Sequence, residues 1–163
     1  MRKLLLFVCA LLAALGLLSC SFFYALIPTP TPEMLPTQAV GRLPKLSGDW
    51  HIRMAQSGGI AGVSRTLEIS SSGEMTIIDE RSKKQSTSQL PPDVLAMLKE
   101  MVASTEYRPI SQPMGCADCF IFDLQVDNGK EKFQTQIDEV NLPNSGLETL
   151  VGFLGKMLNS NNQ

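Results

Sequence analysis

Four cysteines, one histidine and one glycine-rich hexapeptide are the residues of this chain whose types and spacing bear on chemistry. His51 is the single histidine, so a Ser-His-Asp triad or a multi-histidine zinc site lacks material. It falls on the outer face of a strand in this reading and reads as a surface residue. Cys116-Ala117-Asp118-Cys119 is a C-x-x-C. A redox pair of this kind needs a helix N-terminus to depress one thiol pKa. Here the motif precedes a strand and follows a Gly/Pro-rich loop, and no two further zinc ligands accompany it. A structural disulfide between Cys116 and Cys119 is the favoured reading. Ser57-Gly58-Gly59-Ile60-Ala61-Gly62 has neither the following helix nor the Lys-Ser/Thr of a phosphate-cradling loop. It reads as a hairpin whose glycines admit positive φ, with an apolar Ile60 at the tip. No carboxylate pair has dyad-like spacing. The chain offers no catalytic set, no metal-ligand set and no cofactor motif, and it reads as a binding protein rather than an enzyme.

The other two cysteines belong to the N-terminal region. Met1-Arg2-Lys3 is a positive start, Leu4 to Leu18 is uncharged and apolar, and the run reaches Leu17-Leu18-Ser19-Cys20. This is the arrangement of an export signal. It resembles the bacterial lipobox, in which a small residue precedes a cysteine that receives a diacylglycerol. The resemblance implies a signal peptide over 1–19, removal of Cys9 with it, and lipidation of Cys20. Two or three acyl chains anchor firmly where one binds marginally. An uncleaved signal anchor competes, because the apolar run continues to Ile27, about 36 Å as a helix. Both readings attach the chain to the cell membrane and place the domain outside the cytoplasm. There the Cys116–Cys119 pair meets oxidising conditions.

Of the 14 basic residues two precede residue 20; the other 12 face 16 acidic ones, a net charge of −4. A weakly acidic domain without a basic run gives no electrostatic reason to bind nucleic acid. Residues 20–45 read as a Pro/Thr-rich tether, with five of the ten prolines between Pro28 and Pro44. Extended at about 3.1 Å per residue, that stretch reaches roughly 50 Å.

Residues 46–163 read as one domain. Trp50, Ile52 and Met54 alternate with polar neighbours, as do Val63 to Ile69 and Met75 to Ile78, a three-strand meander. Arg81 to Gln89 is a polar stretch without apolar period. Pro91-Pro92-Asp93 opens a helix carrying Val94, Leu95, Leu98, Met101 and Val102, which ends near Thr105. Tyr107 to Gly115 reads as a loop. Phe120 to Val126 and Phe133 to Ile137 form a hairpin across Asp127-Asn128-Gly129-Lys130. Asn144 or Ser145 caps a closing helix with Leu147, Leu150, Val151, Leu154, Met157 and Leu158. The order is β-β-β-α-β-β-α: an α+β domain, an antiparallel sheet of about five strands with two helices on one face.

The run from Ile52 through Ser57-Gly58-Gly59-Ile60-Ala61-Gly62 to Arg65, the segment Cys116 to Val126 and the closing helix Leu147 to Leu158 together resemble the emfourin-like family, small bacterial proteins named for an inhibitor of thermolysin-like metallopeptidases. The resemblance covers about Gly48 to Leu158. The leader, the tether and the cysteine pair depart from the inhibitor that names the family. The resemblance implies an α+β fold and, as partner, a secreted metallopeptidase; it places no contact residue, and the candidate binding loop read from the residues themselves is Ser57–Gly62 with Ile60 at its tip. Such enzymes favour a large apolar residue just after the cleaved bond, a pocket suited to Ile60. A lipoprotein interaction module without inhibitory activity is the alternative, and a thiol-disulfide enzyme using Cys116 and Cys119 a third.

Overall fold

The computed structural model describes residues 41–110 and 116–160. The signal peptide over 1–19, Cys20 and the tether up to residue 40 lie outside the described residues. The element order is β1 (Gly41–Arg42), β2 (His51–Gly58), β3 (Val63–Ser70), β4 (Glu74–Asp79), β5 (Lys84–Gln89), α1 (Pro92–Ser104), β6 (Glu106–Tyr107), β7 (Phe120–Asp127), β8 (Lys132–Asp138) and α2 (Glu148–Ser160), with a short 3-10 turn at Leu142–Asn144. Six strands form one antiparallel sheet in the order β5-β4-β3-β2-β7-β8, and β1 pairs with β6 in a separate ribbon. The α+β class and the two helices agree with the sequence. The strand count does not: six strands stand where about five are expected, and the ribbon is additional.

Register explains why one face of the sheet is apolar. Ile52 lies opposite both Ile69 and Val126, and Met54 opposite both Leu67 and Leu124. Leu67 meets Ile77, and Ile69 meets Met75. Since alternate residues share a face, these rows put Ile52, Met54, Leu67, Ile69, Met75, Ile77, Leu124 and Val126 on one side. The helices cover that side: Leu98 and Val102 of α1 and Leu150, Val151, Leu154 and Leu158 of α2 join the same buried cluster. Trp50, 4% exposed, closes one end under α1, with Lys99 Nζ 5.8 Å from its ring centroid. The opposite face carries His51, Arg53, Glu68, Asp123 and Gln125, and Arg53 pairs with Glu68 at 3.5 Å.

β5 is the strand missing from the sequence reading. Its residues, Lys84-Gln85-Ser86-Thr87-Ser88-Gln89, are all exposed. Its inner-face positions lie beyond the cover of the helices, so no hydrophobic alternation marks it. Pairing with β4 from Glu74↔Gln89 to Asp79↔Lys84 makes it a strand.

The ribbon accounts for the second difference. Gly41↔Tyr107 and Arg42↔Glu106 pair, and Leu43 is buried in the core. Residues ahead of Leu46, where the sequence reading begins the domain, thus already belong to the fold. Tyr107 crosses to β8, its ring 5.0 Å from Phe133 edge-on and its hydroxyl 3.0 Å from Thr135 Oγ1. The closing helix begins at Glu148, later than expected. Ser145 acts ahead of it: its Oγ accepts the Leu147 N–H at 3.0 Å and donates to the Leu142 carbonyl at 2.6 Å.

Candidate functional site

The glycine-rich hexapeptide turns the chain between β2 and β3. Gly58, Gly59 and Gly62 all take positive φ, at 98°, 70° and 59°, a region that costs a side chain but not glycine. The Gly62 N–H donates to the Gly59 carbonyl at 2.9 Å, closing a tight turn around Ile60 and Ala61. Ile60 is 94% exposed at its tip. The side chain therefore contributes nothing to the core, and the hairpin presents it outward.

Two neighbours hold this turn. Arg81, in the β4–β5 turn, donates from Nη1 to the Ala61 and Gly62 carbonyls at 2.5 and 3.2 Å. That turn is itself fixed by Asp79, whose Oδ1 accepts the Arg81 and Ser82 N–H groups at 3.1 and 2.8 Å. Hydrogen bonds from Ser82, first its backbone N–H and then its side chain, hold the Asp79 carboxyl below its ordinary value; the nearby Arg65 charge acts in the same direction. Asp79 stays ionised at neutral pH and keeps the Arg81 turn in place.

The second neighbour is the segment carrying the cysteines. Gly58 lies opposite Phe120 at the end of the β2–β7 pairing. A Cβ on Gly58 would stand 2.3 Å from the Cys119 carbonyl oxygen. The Gly59 N–H donates to that same oxygen at 3.2 Å. The sequence offers the glycine loop and the C-x-x-C as separate motifs; the fold brings them together. Cys116 and Cys119 lie at disulfide-bonding distance with Cα atoms 5.5 Å apart, within the range a disulfide needs. They precede β7 rather than a helix.

A third turn joins on the far side. The Glu139 N–H donates to the Phe120 carbonyl at 2.9 Å, and Glu139 Oε2 accepts the Phe120 N–H at 3.4 Å. The next residue, Val140, is 60% exposed. Cys119 and Phe120 are thus the shared backbone of an end of the sheet from which two apolar side chains project. Sequence reasoning missed Arg81 and Val140. Arg81 sits in a stretch with no apolar period, and its role depends on β4 lying beside β3. Val140 is a single valine in a loop, and such residues are ordinarily unremarkable. His51 lies on the open face opposite Ser70 and Asp127, away from this end.

This arrangement suits docking by shape and apolar contact. Ile60 offers no group to move a proton, and Arg81 is occupied with carbonyls. No family model matches the chain, and no curated protein matches it. Among the described residues no helix is long and apolar enough to cross a membrane.

Replacing Cys116 and Cys119 together with serine tests what the pair contributes. Their sequence separation is 3, and closing so short a loop limits the loss of chain entropy to about 2 kcal/mol or less. A small fall in Tm, with the sheet intact by circular dichroism, is the expected outcome. Thiol-disulfide exchange in an insulin-reduction assay would replace the structural role with a catalytic one.

Proposed function

We propose that this chain is a membrane-tethered extracytoplasmic binding protein whose recognition element is the Ser57–Gly62 hairpin. The observation that carries the reading is Ile60, 94% exposed on a turn braced by Arg81 and the Cys119 carbonyl. A few side chains buried in well-packed pockets carry most interface energy, and a braced loop limits the ordering entropy of binding. The likeness to emfourin-like proteins supports a thermolysin-like metallopeptidase as partner, with Ile60 entering the pocket that takes the residue after the cleaved bond.

The test is an inhibition assay of the purified chain against a thermolysin-like enzyme, run with Ile60→Ser alongside. Inhibition by the natural chain, at least tenfold weaker in the variant, is the expected result, since an interface anchor is worth about 2 kcal/mol or more. Tm should not move measurably, because exposed substitutions lie within about 0.5 kcal/mol. No inhibition by the natural chain would leave a lipoprotein interaction module with a different partner. A loss of stability in Ile60→Ser would contradict the exposed geometry itself.

The anchor rests on the lipobox-like Leu17-Leu18-Ser19-Cys20, and oxidation of Cys116 and Cys119 follows from export. Mass spectrometry of membrane extracts should find an acylated N-terminal cysteine at Cys20. A mature protein that retains Met1 would establish the signal anchor instead.

A further inference from the structure

We propose that Asn128 is a self-modification site, at which the side-chain amide closes on the Gly129 nitrogen, loses ammonia and is then hydrolysed to aspartate or isoaspartate. The proposal concerns the turn between β7 and β8 and does not rest on the Ile60 reading. Asn128 and Gly129 follow the last residue of β7, and the Asn128 N–H donates to the Glu131 carbonyl at 3.1 Å to close the turn. Gly129 takes φ 78°, as a tight hairpin turn requires. A Cβ added there would have the Asp49 carbonyl oxygen as its neighbour at 3.8 Å. The glycine that suits the turn thus also leaves its own nitrogen unshielded by a side chain.

The amide is activated at its carbonyl and held back at both nitrogens. Asn128 Oδ1 accepts the Lys130 and Glu131 N–H groups at 3.0 and 2.7 Å. Those donors fix which side-chain atom is the oxygen. They also draw electron density from Cγ and stabilise the oxyanion formed when Cγ is attacked. The nucleophile is restrained: the Gly129 N–H donates to Asp127 Oδ1 at 2.8 Å, and a neighbouring carboxylate opposes loss of that proton. The leaving group is restrained too, since Asn128 Nδ2 donates to the Lys45 carbonyl at 3.0 Å, 83 residues away in sequence. A cavity of about 380 Å³, walled by Ser47, Asp49, Asn128 and Gly129 among others, gives water access to the turn. The reaction balances with water alone. The Gly129 nitrogen gives up its proton and bonds to Cγ, the Cγ–Nδ2 bond breaks, and ammonia leaves with that proton. Water then opens the cyclic imide at one of its two carbonyls, giving aspartate or, with the main chain rerouted through the side chain, isoaspartate. Either product lacks Nδ2, so an oxygen faces the Lys45 carbonyl and the tie between Lys45 and the hairpin is lost.

The test incubates the full chain at neutral pH, folded in mild detergent and unfolded in urea. Mass spectrometry follows the peptide carrying Asn128 and Gly129 for replacement of NH2 by OH and for isoaspartate. Conversion in both samples is expected, at least about tenfold slower in the folded chain, a barrier difference of about 1.4 kcal/mol. Asp127→Ala should raise the folded rate towards the unfolded one, because it removes the restraint on the Gly129 nitrogen. Asn128→Asp, which carries the product side chain, should speed hydrogen exchange across residues 43–47 and leave β2 and β7 unchanged. The comparison of folded chain with urea needs no substitution, so it remains decisive if Asp127→Ala fails to fold. The converted natural chain gives the exchange readout if Asn128→Asp fails to fold. Equal rates in the two samples, no conversion in urea, a folded rate indifferent to Asp127→Ala, or unchanged exchange across residues 43–47 would overturn the proposal.

Discussion

Gly58→Ala is expected to unfold the end of the sheet that carries Ile60. The added Cβ would stand 2.3 Å from the Cys119 carbonyl oxygen, a backbone atom that cannot rotate aside. The residue would also hold φ near 98°, and conformations sparsely populated by side chains cost about 1–3 kcal/mol each. Together these effects predict a loss of about 2–4 kcal/mol, a fall in Tm of roughly 10 °C for a domain of this size. Gly62→Ala is the control. Its φ is 59°, but the nearest atom to a new Cβ is the flexible Arg81 Nη1 at 3.8 Å. It carries the backbone strain without the clash and should cost about 1 kcal/mol. Thermal melts of the two variants measure the difference directly. Equal losses would mean that the approach of Cys119 to Gly58 is not what demands glycine there.

Leu124→Ala should produce a loss of similar or greater size by another route. Leu124 is fully buried at the centre of the sheet, opposite Met54 on one side and Thr135 on the other. Removing its branched end subtracts transfer free energy and leaves a cavity that strand neighbours cannot collapse into, about 2–5 kcal/mol in all. Met97→Ala, on an α1 side chain that is 52% exposed, should stay within about 0.5 kcal/mol. Urea denaturation distinguishes the two substitutions. If Leu124→Ala unfolds the domain at physiological temperature, the hairpin that presents Ile60 is lost with it, so any assay of core variants needs a folding check.

The core was legible because burial leaves a period in the sequence. β2, β3, β4 and β7 alternate, and α1 and α2 carry apolar stripes, so their existence and class could be read from residue types. β5 could not: an exposed edge strand of serine, threonine and glutamine has no hydrophobic face to display. Its turn also lacks the usual markers. Lys83 supplies the positive φ, at 56°, where glycine or asparagine is customary. The glycine hairpin was legible, since Gly-Gly-Ile-Ala-Gly signals a turn and an exposed tip. What braces it was not, because Arg81 and Cys119 reach the loop only through strand pairing. Val140 carried no signal at all.

The two-residue ribbon formed by Gly41 and Arg42 has a mechanical consequence. A pull on the chain ahead of Gly41 loads first the pairs Gly41↔Tyr107 and Arg42↔Glu106. The Arg42–Glu106 contact, at 3.7 Å between exposed side chains, adds little resistance. Behind it stands Leu43, 5% exposed, whose extraction costs about 1.5–3 kcal/mol. The ribbon peels under modest force, and Leu43 then takes the load before β2 feels any of it. Such a pull would free a few residues ahead of β2 while the six-stranded sheet and the Ile60 hairpin keep their shape.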